Sequence, residues 1–429
     1  MSHPAPPVAL YIHLPFCVAR CPYCDFTVYA GADARGPRAR TERLYRAVAR
    51  ELELRADALD DSRPGRAGAP AGVGALGSVG ALGSVGPRPP LRSVYFGGGT
   101  PSLIPVEWLE RMMAIVRDRF GLVADAEVTL EANPGADERG DPAAFRRAGV
   151  TRISFGVQSM DGGELRRLGR RHSPEDVAAA VAEARAAGIG SLNLDLLYDV
   201  PGQTIAAWEA TLAAALALAP DHLSLYALTL DDPEAEGLAG SGGDHLPTPR
   251  GARRWRERAR LEQDDDRAAD QYRLATDLLA ARGWRGYEIS NWSRLGHESR
   301  HNLVYWQREP YEAVGPGAHA FDGVVRRWNA AAMQPYIDAL DSDVREPVLP
   351  PGGSETLDDQ TAAAERVILS LRLDRGVPMD WAAQPPLAGA LDWALSSGLT
   401  ELVELDGERR LRLTLRGRLL SNELFERLV

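Results

Sequence analysis

The sequence predicts an α/β protein: an open, partial (β/α)6 barrel of parallel strands, followed by a small α+β unit at the C-terminal end. Three observations carry this reading. Short apolar strand signals alternate with helical ones between residues 8 and 230, the pattern of a parallel sheet with helical crossovers. Glycines and polar residues follow those strands, where parallel α/β sheets gather ligand groups. Beyond about residue 355 the order becomes helix, helix, hairpin and closing helix.

The elements follow from local pattern. Val8–Leu14 reads as a first strand, stopped by Pro15. Leu44, Val48, Leu52 and Leu59 recur at helical spacing over Thr41–Leu59. Residues 61–90, with GALGSV twice in succession, cannot bury enough surface to offset chain entropy and read as a disordered insertion. Further strands fall at Ser93–Phe96, Glu127–Glu131, Arg152–Gly156, Ser191–Leu197 and His222–Leu228. Helices intervene at Glu107–Arg119, Ala143–Ala148, Glu175–Ala187 and Ile205–Leu218. Residues 1–230 therefore read as one core barrel. Residues 231–265 are polar, and RRWRERAR at 253–260, followed by LEQDDD, reads as a solvated helical face. A helix over Asp266–Arg282 leads into an aromatic and histidine-rich stretch, 284–329, within an extension running to 350. The C-terminal unit, 351–429, has helices at Thr361–Leu371 and Ala388–Ser396, then a hairpin over Leu399–Leu415.

Bulk properties exclude several classes. The chain has 429 residues, enough for a large core and a smaller one. A net charge of −11 argues against a nucleic-acid partner. No run of eighteen apolar residues occurs, so no transmembrane segment is expected. The start, MSHPAPPVAL, lacks a basic n-region and an apolar h-region, and a cytoplasmic location is the expectation.

Chemistry concentrates in CVARCPYC, residues 17–24, which holds the chain's three cysteines, Cys17, Cys21 and Cys24. An odd, tightly clustered set is not a disulfide framework, and a metal site is the reading in a reducing compartment. Two sites suit soft thiolates. One is structural zinc with His13 as fourth ligand, although structural zinc usually uses two separated knuckles. The other is a [4Fe–4S] cubane held at three corners, which leaves the fourth iron to an outside ligand. Downstream, SVYFGGGTPS ends a strand in three glycines, whose backbone can approach a ligand closely. Glu131, Gln158 and Asp195 follow later strands, toward the same mouth. HNLVYW, 301–306, offers an imidazole beside aromatic rings, which suits a haem iron and porphyrin face.

Taken in order, YIHLPFCVARCPYCDF, FGGGTPS, EANPG, ISFGVQSM, LGRRH, NLDLLYDVPGQT, ISNWSRLGHESRHNLVYW and VGPGAH resemble the HemN/HemW group of the radical S-adenosylmethionine (SAM) superfamily. The group comprises oxygen-independent coproporphyrinogen III dehydrogenases and related haem chaperones. The resemblance implies a [4Fe–4S] cluster on Cys17, Cys21 and Cys24, with SAM chelating the open iron and being cleaved by one electron to a 5′-deoxyadenosyl radical. It implies SAM contacts at Tyr11, Gly98 and Glu131. Tyr23, Gly99, Thr100, Gln158, Arg170, Asp195 and Ala227 match positions that hold a second SAM in the dehydrogenase. It implies haem contacts at His301, Tyr305 and Trp306, then His319, with His297 behind them. Asp199 stands at a usual glycine of YGLPGQT, so a turn needing φ > 0 would have to differ.

Phe26 replaces the dehydrogenase's further cysteine, only ten residues precede Tyr11, and HNLVYW matches the chaperones' H-N-x-x-Y-W. The resemblance thus implies a haem carrier serving respiratory client proteins, with an electron donor such as flavodoxin or ferredoxin. Its alternative is the dehydrogenase, which decarboxylates two propionates of coproporphyrinogen III. SAM cleavage stays open, coproporphyrinogen conversion is not expected, and no catalytic residue is assigned.

Overall fold

Six parallel strands stand side by side in chain order: β1 (Ala9–Leu14), β2 (Leu91–Gly98), β3 (Leu122–Ala132), β4 (Arg152–Gln158), β5 (Ser191–Tyr198) and β6 (His222–Ala227). This computed structural model describes residues 5–34, 39–61, 88–230, 243–341, 346–384 and 386–429. The insertion expected at 61–90 lies outside the described residues apart from residue 61 and residues 88–90. Helices α1 (Thr41–Asp61), α2 (Val106–Ile115), α3 (Pro142–Ala148), α4 (Gly162–Arg167), α5 (Pro174–Ala186) and α6 (Ile205–Ala217) alternate with the strands. One face of each strand, including Leu10, Ile12, Val94, Phe96, Ile153, Leu192 and Leu194, packs against helical residues such as Leu44, Met112, Val177 and Trp208. The opposite faces of β2–β6 line a common cavity.

Local signals set the ends. Asp141 caps α3 through the N–H groups of Ala143 and Ala144, and Gly149, at φ 114°, ends it. Ser173 and Asp176 form a capping box on α5. The helix expected over Glu107–Arg119 changes to a π turn at Val116–Phe120. Helix α4 was not legible, because six residues carry too little periodicity.

The sheet does not close on itself; it is extended at both edges by later segments. Helices α7 (Arg250–Arg260) and α8 (Asp265–Ala280) precede β7 (Arg285–Gly286) and β8 (Asn291–Ser293), and β8 pairs antiparallel with β6. Helix α9 (Arg300–Trp306) leads to β9 (Tyr311–Val314), which pairs parallel with β1. Strands β10 (His319–Phe321), β11 (Val325–Asn329) and β12 (Gly352–Thr356) continue that edge, so the sheet reaches past residue 350. Helix α10 (Met333–Leu340) packs on α1 around Glu51, which is fully buried. Its carboxylate accepts from Gly315 N (2.9 Å), Asn329 Nδ2 (2.9 Å) and Tyr336 Oη (2.6 Å), so the buried charge is fully hydrogen-bonded.

The C-terminal unit has its own core, including Val367, Leu371, Leu391, Leu411 and Leu424. It comprises α11 (Asp359–Arg372), β13 (Val377–Pro378), α12 (Met379–Ala382), α13 (Ala388–Ser396), β14 (Thr400–Leu405), β15 (Glu408–Leu413), α14 (Leu415–Leu419) and α15 (Ser421–Phe425). Asp406 and Gly407, both at positive φ, make the tight hairpin turn.

Candidate functional site: a cysteine loop over a deep cavity

Pro15 ends β1 and starts the cysteine loop, which Tyr29 N to Pro15 O (2.7 Å) and Cys17 N to Tyr29 O (2.9 Å) draw closed. The glycines ending β2 lie directly against it. Gly99 N donates to Leu14 O (2.9 Å) and Thr100 N to Phe16 O (2.8 Å). A Cβ on Gly99 would stand 2.7 Å from Phe16 O, and one on Gly98, at φ 115°, 2.6 Å from the His13 ring. Only glycine permits that approach.

Thr100 Oγ1 lies 3.4 Å from Cys17 Sγ, and Arg170 Nη1 lies 3.6 Å from Cys21 Sγ. Burial pushes the Cys17 thiol up to about 12 and the Cys24 thiol to about 11. Positive charge at the loop is what turns such thiols into thiolates. Three thiols on one loop, two with hydrogen-bond donors at sulfur, fit a [4Fe–4S] cluster. The zinc alternative needs His13, but its ring is 4% exposed and bonded at both nitrogens, to Tyr11 Oη (3.0 Å) and Thr27 O (2.8 Å). His13 therefore offers zinc no free nitrogen.

Beneath the loop runs a cavity of about 410 Å³. Of the residues expected to contact SAM, Tyr23, Gly98, Gly99, Glu131, Gln158, Arg170, Asp195 and Ala227 line it. Tyr11 and Thr100 do not. Thr100 is buried behind Cys17, and the Tyr11 ring stacks on Tyr95 at 6.1 Å. Glu131 accepts from Tyr95 Oη (2.8 Å) and Gly98 N (3.0 Å), and burial pushes its carboxyl up to about 7. Asp195, also raised by burial, accepts from Ser154 Oγ (3.0 Å) and Asn193 Nδ2 (2.7 Å). Gln158 sits at φ 69°, where the β4–β5 register shifts, a bulge that re-aims its side chain. Arg170 Nη2 donates to Asn133 Oδ1 (2.5 Å) and Gly156 O (2.6 Å). The cavity can thus bind a polar, cationic cofactor with hydroxyl groups.

Three residues depart from the sequence expectation. Asp199 itself takes the left-handed conformation, φ 54°, so the turn keeps its shape without glycine. Its carboxylate pairs with Arg267, and its N–H donates to Gln271 Oε1 (2.9 Å). RRWRERAR is not simply a solvated face. It forms α7, where Arg256 is 3% exposed and turned onto the cysteine loop. Arg256 Nε donates to Pro22 O (3.1 Å), Nη2 to Cys24 O (3.0 Å), and the guanidinium pairs with Asp25 (2.7 Å). Trp255 packs on Tyr23, with ring centroids 6.3 Å apart. Charge density outweighed the single Trp-Arg pair in the sequence pattern; the tryptophan was the available signal.

The HNLVYW segment forms α9 at the end of the barrel opposite the cysteines, against Ser93 near the start of β2 and Glu127 in the middle of β3. His301 is 1% exposed, with Nδ1 3.0 Å from Ser93 Oγ and Nε2 2.7 Å from Tyr305 Oη. Burial lowers its pKa to about 3. Tyr305 stands edge-on to Tyr311 at 4.6 Å. Trp306 faces the C-terminal unit, 4.3 Å beneath the Arg372 guanidinium. His319 is on another element and more open, its Nε2 paired with Asp244 (2.7 Å) and its ring stacked on Trp328. His297 bonds Ser191 Oγ (3.1 Å). The structure therefore brings His301 and Tyr305 together and sends Trp306 elsewhere.

Comparison with known proteins places these features in context. Residues 82–215 match the radical SAM superfamily. The chain is 37% identical to the heme chaperone HemW of Mycobacterium tuberculosis, over 99% of this chain and 96% of that protein. It is 34% identical to the heme chaperone HemW of Escherichia coli K12, over 73% and 70%. The structure of coproporphyrinogen III oxidase (HemN) from Escherichia coli, a radical SAM enzyme, superposes with a TM-score of 0.74 at 22% identity, covering 99% of this chain and 91% of that one.

Proposed function

Because this chain belongs to the HemW family of haem chaperones within the radical SAM superfamily, we propose that it binds haem and passes it to haem-requiring respiratory proteins. The observation carrying this reading is the 37% identity that runs along 99% of the chain. The likeness to HemN, at 22% identity, speaks for the fold alone.

Radical SAM proteins carry a [4Fe–4S] cluster and SAM. When bound, the cluster supplies one-electron reduction of the SAM sulfonium. The chain's own part is to hold and shield these groups. Cys17, Cys21 and Cys24 would hold the cluster, Arg170 and Thr100 donate toward sulfur, and Arg256 fixes the loop backbone. Glu131 supplies an acceptor for the first SAM and Gly98, whose N–H holds that carboxylate, a close backbone approach, with Tyr11 behind them. Tyr23, Gln158, Asp195 and Ala227 offer wall for a second. A flavodoxin or ferredoxin would deliver the electron, in the cytoplasm. Among the described residues no helix is long and apolar enough to cross a membrane.

The haem iron is assigned to the His301 imidazole, with His319 as the second candidate. Burial keeps His301 neutral, as a metal ligand must be. Ligation at Nε2 would exchange its bond to Tyr305, a neighbour on the same helix, for iron.

The test is a paired anaerobic assay on reconstituted protein. Haem binding at substantial occupancy is expected, with coproporphyrinogen III left unconverted by SAM and reductant. Formation of protoporphyrinogen IX would overturn the carrier reading in favour of the dehydrogenase.

A further inference from the structure

The cavity does not stop at the SAM-contact residues. It continues down the barrel to Arg152, the first residue of β4, and to Asn302 of α9. Arg152 is 4% exposed, and its Nε and Nη1 have no hydrogen-bond partner among the described residues. A guanidinium taken out of water without such partners is costly, so a charge left in that state marks a place where an anion belongs.

The carboxylates around it leave those hydrogen bonds unmade, although Glu127 supplies an ion pair. Glu127 lies 3.9 Å from Arg152 Nε, but its oxygens already accept from Arg300 N and His301 N, each at 3.1 Å. Asp195 accepts from Ser154 and Asn193, and the Arg152 charge acts on it without a hydrogen bond among the described residues. Glu131 is held at Tyr95 and Gly98, nearer the mouth. Thr129, the register partner of Arg152 on β3, is fully buried and its Oγ1 also lacks a partner among the described residues. Arg152 thus reaches the deep end of the cavity with two N–H groups unpaired, while Thr129 lies behind it, outside the cavity lining.

We propose that Arg152, with Asn302, forms a carboxylate-binding subsite at the deep end of the cavity, distinct from the SAM position at the cysteine loop. A guanidinium lining the cavity matches a carboxylate in a charge-assisted pair. Two ligands of the proposed function carry such a group: a haem propionate, or the methionyl carboxylate of a second SAM. The subsite rests on the radical SAM reading of the cavity, but not on haem carriage.

The experiment compares wild type, Arg152→Met and Arg152→Lys, all cluster-reconstituted and anaerobic, using haem, haem dimethyl ester and SAM as probes in equilibrium titrations. Losing a charge-assisted pair should weaken the affected probe by about tenfold or more. If a propionate is bound, Arg152→Met weakens haem and not the dimethyl ester, and wild type itself prefers haem to the ester. If a second SAM is bound, Arg152→Met removes one of two equivalents of SAM and leaves haem unchanged. Arg152→Lys should retain more of the affected probe than Arg152→Met, and circular dichroism of both variants should match wild type. Unchanged binding of all three probes in a folded Arg152→Met protein would overturn the subsite. Wild type that takes up SAM but no haem would instead overturn the carrier reading.

Discussion

His301 and Tyr305, one helical turn apart on α9, share a hydrogen bond of 2.7 Å between Nε2 and Oη. That bond occupies the nitrogen an iron would use, and Ser93 holds the other. His301→Ala should therefore lower haem retention on the order of tenfold or more, with cluster absorbance unchanged. Tyr305→Phe, which frees Nε2, should keep haem retention at or above wild type. Haem titration of both variants checks the pair; unaltered haem binding in His301→Ala would move the ligand to His319.

The same histidine sets a pH dependence. Burial depresses its folded pKa to about 3, below the ordinary histidine value, so its contribution to stability is present above pH 6.5 and lost as pH falls. Between pH 7 and 5, wild type should lose up to about 2 kcal/mol more than His301→Gln. Urea unfolding at both pH values measures the difference.

Arg256 reaches the cysteine loop from a helix more than 200 residues away in the chain, and donates to the backbone on either side of Tyr23. Arg256→Ala should cost about 2 kcal/mol in holding the loop, seen as faster loss of iron to a chelator. Lysine cannot reproduce the two-carbonyl fork, so Arg256→Lys should recover only part. Chelation kinetics at unchanged circular dichroism would separate this from unfolding.

Asp199 occupies left-handed backbone at φ 54° and pairs with Arg267. Asp199→Gly loses the ion pair but keeps the backbone unstrained. Asp199→Ala loses the pair and adds strain, so it should be less stable than the glycine variant by about 1 kcal/mol. Paired denaturant midpoints test the ordering.

Replacing Cys17, Cys21 or Cys24 by alanine should abolish the cluster, because each thiolate holds one corner and the loop has no spare. The barrel should stay folded, since its core of Leu10, Ile12, Phe96 and Leu194 lies on the other face of the sheet. Iron and sulfide analysis beside circular dichroism gives both readouts. A cluster surviving any one replacement would contradict three-thiolate ligation.

Element type was legible wherever a strand or helix carried its own period. All six parallel strands appear where the alternation placed them: β2 to β5 are longer than expected, while β1 starts one residue later and β6 ends one residue earlier. The short helix α4 carries too little periodicity to be legible, and the two- and three-residue strands β7, β8 and β10 are created by pairing with a sheet already present. The resemblance to the radical SAM group named residues that mostly converge on one cavity, yet it gave no sign of Arg152 or Arg256. Neither sits in a motif defined by near-neighbour spacing.

By itself the sequence determined the cysteine loop, the glycine-ended strand laid against it and the order of strands around the cavity. Those features depend on spacings of a few residues, which the chain carries wherever it folds. Tertiary structure alone decided that an arginine from α7 clamps the loop, that HNLVYW stands at the far end of the barrel, and that Arg152 reaches the cavity with two N–H groups unpaired. Which partner a buried charge meets is settled by the packing of distant elements, and no local pattern encodes that geometry.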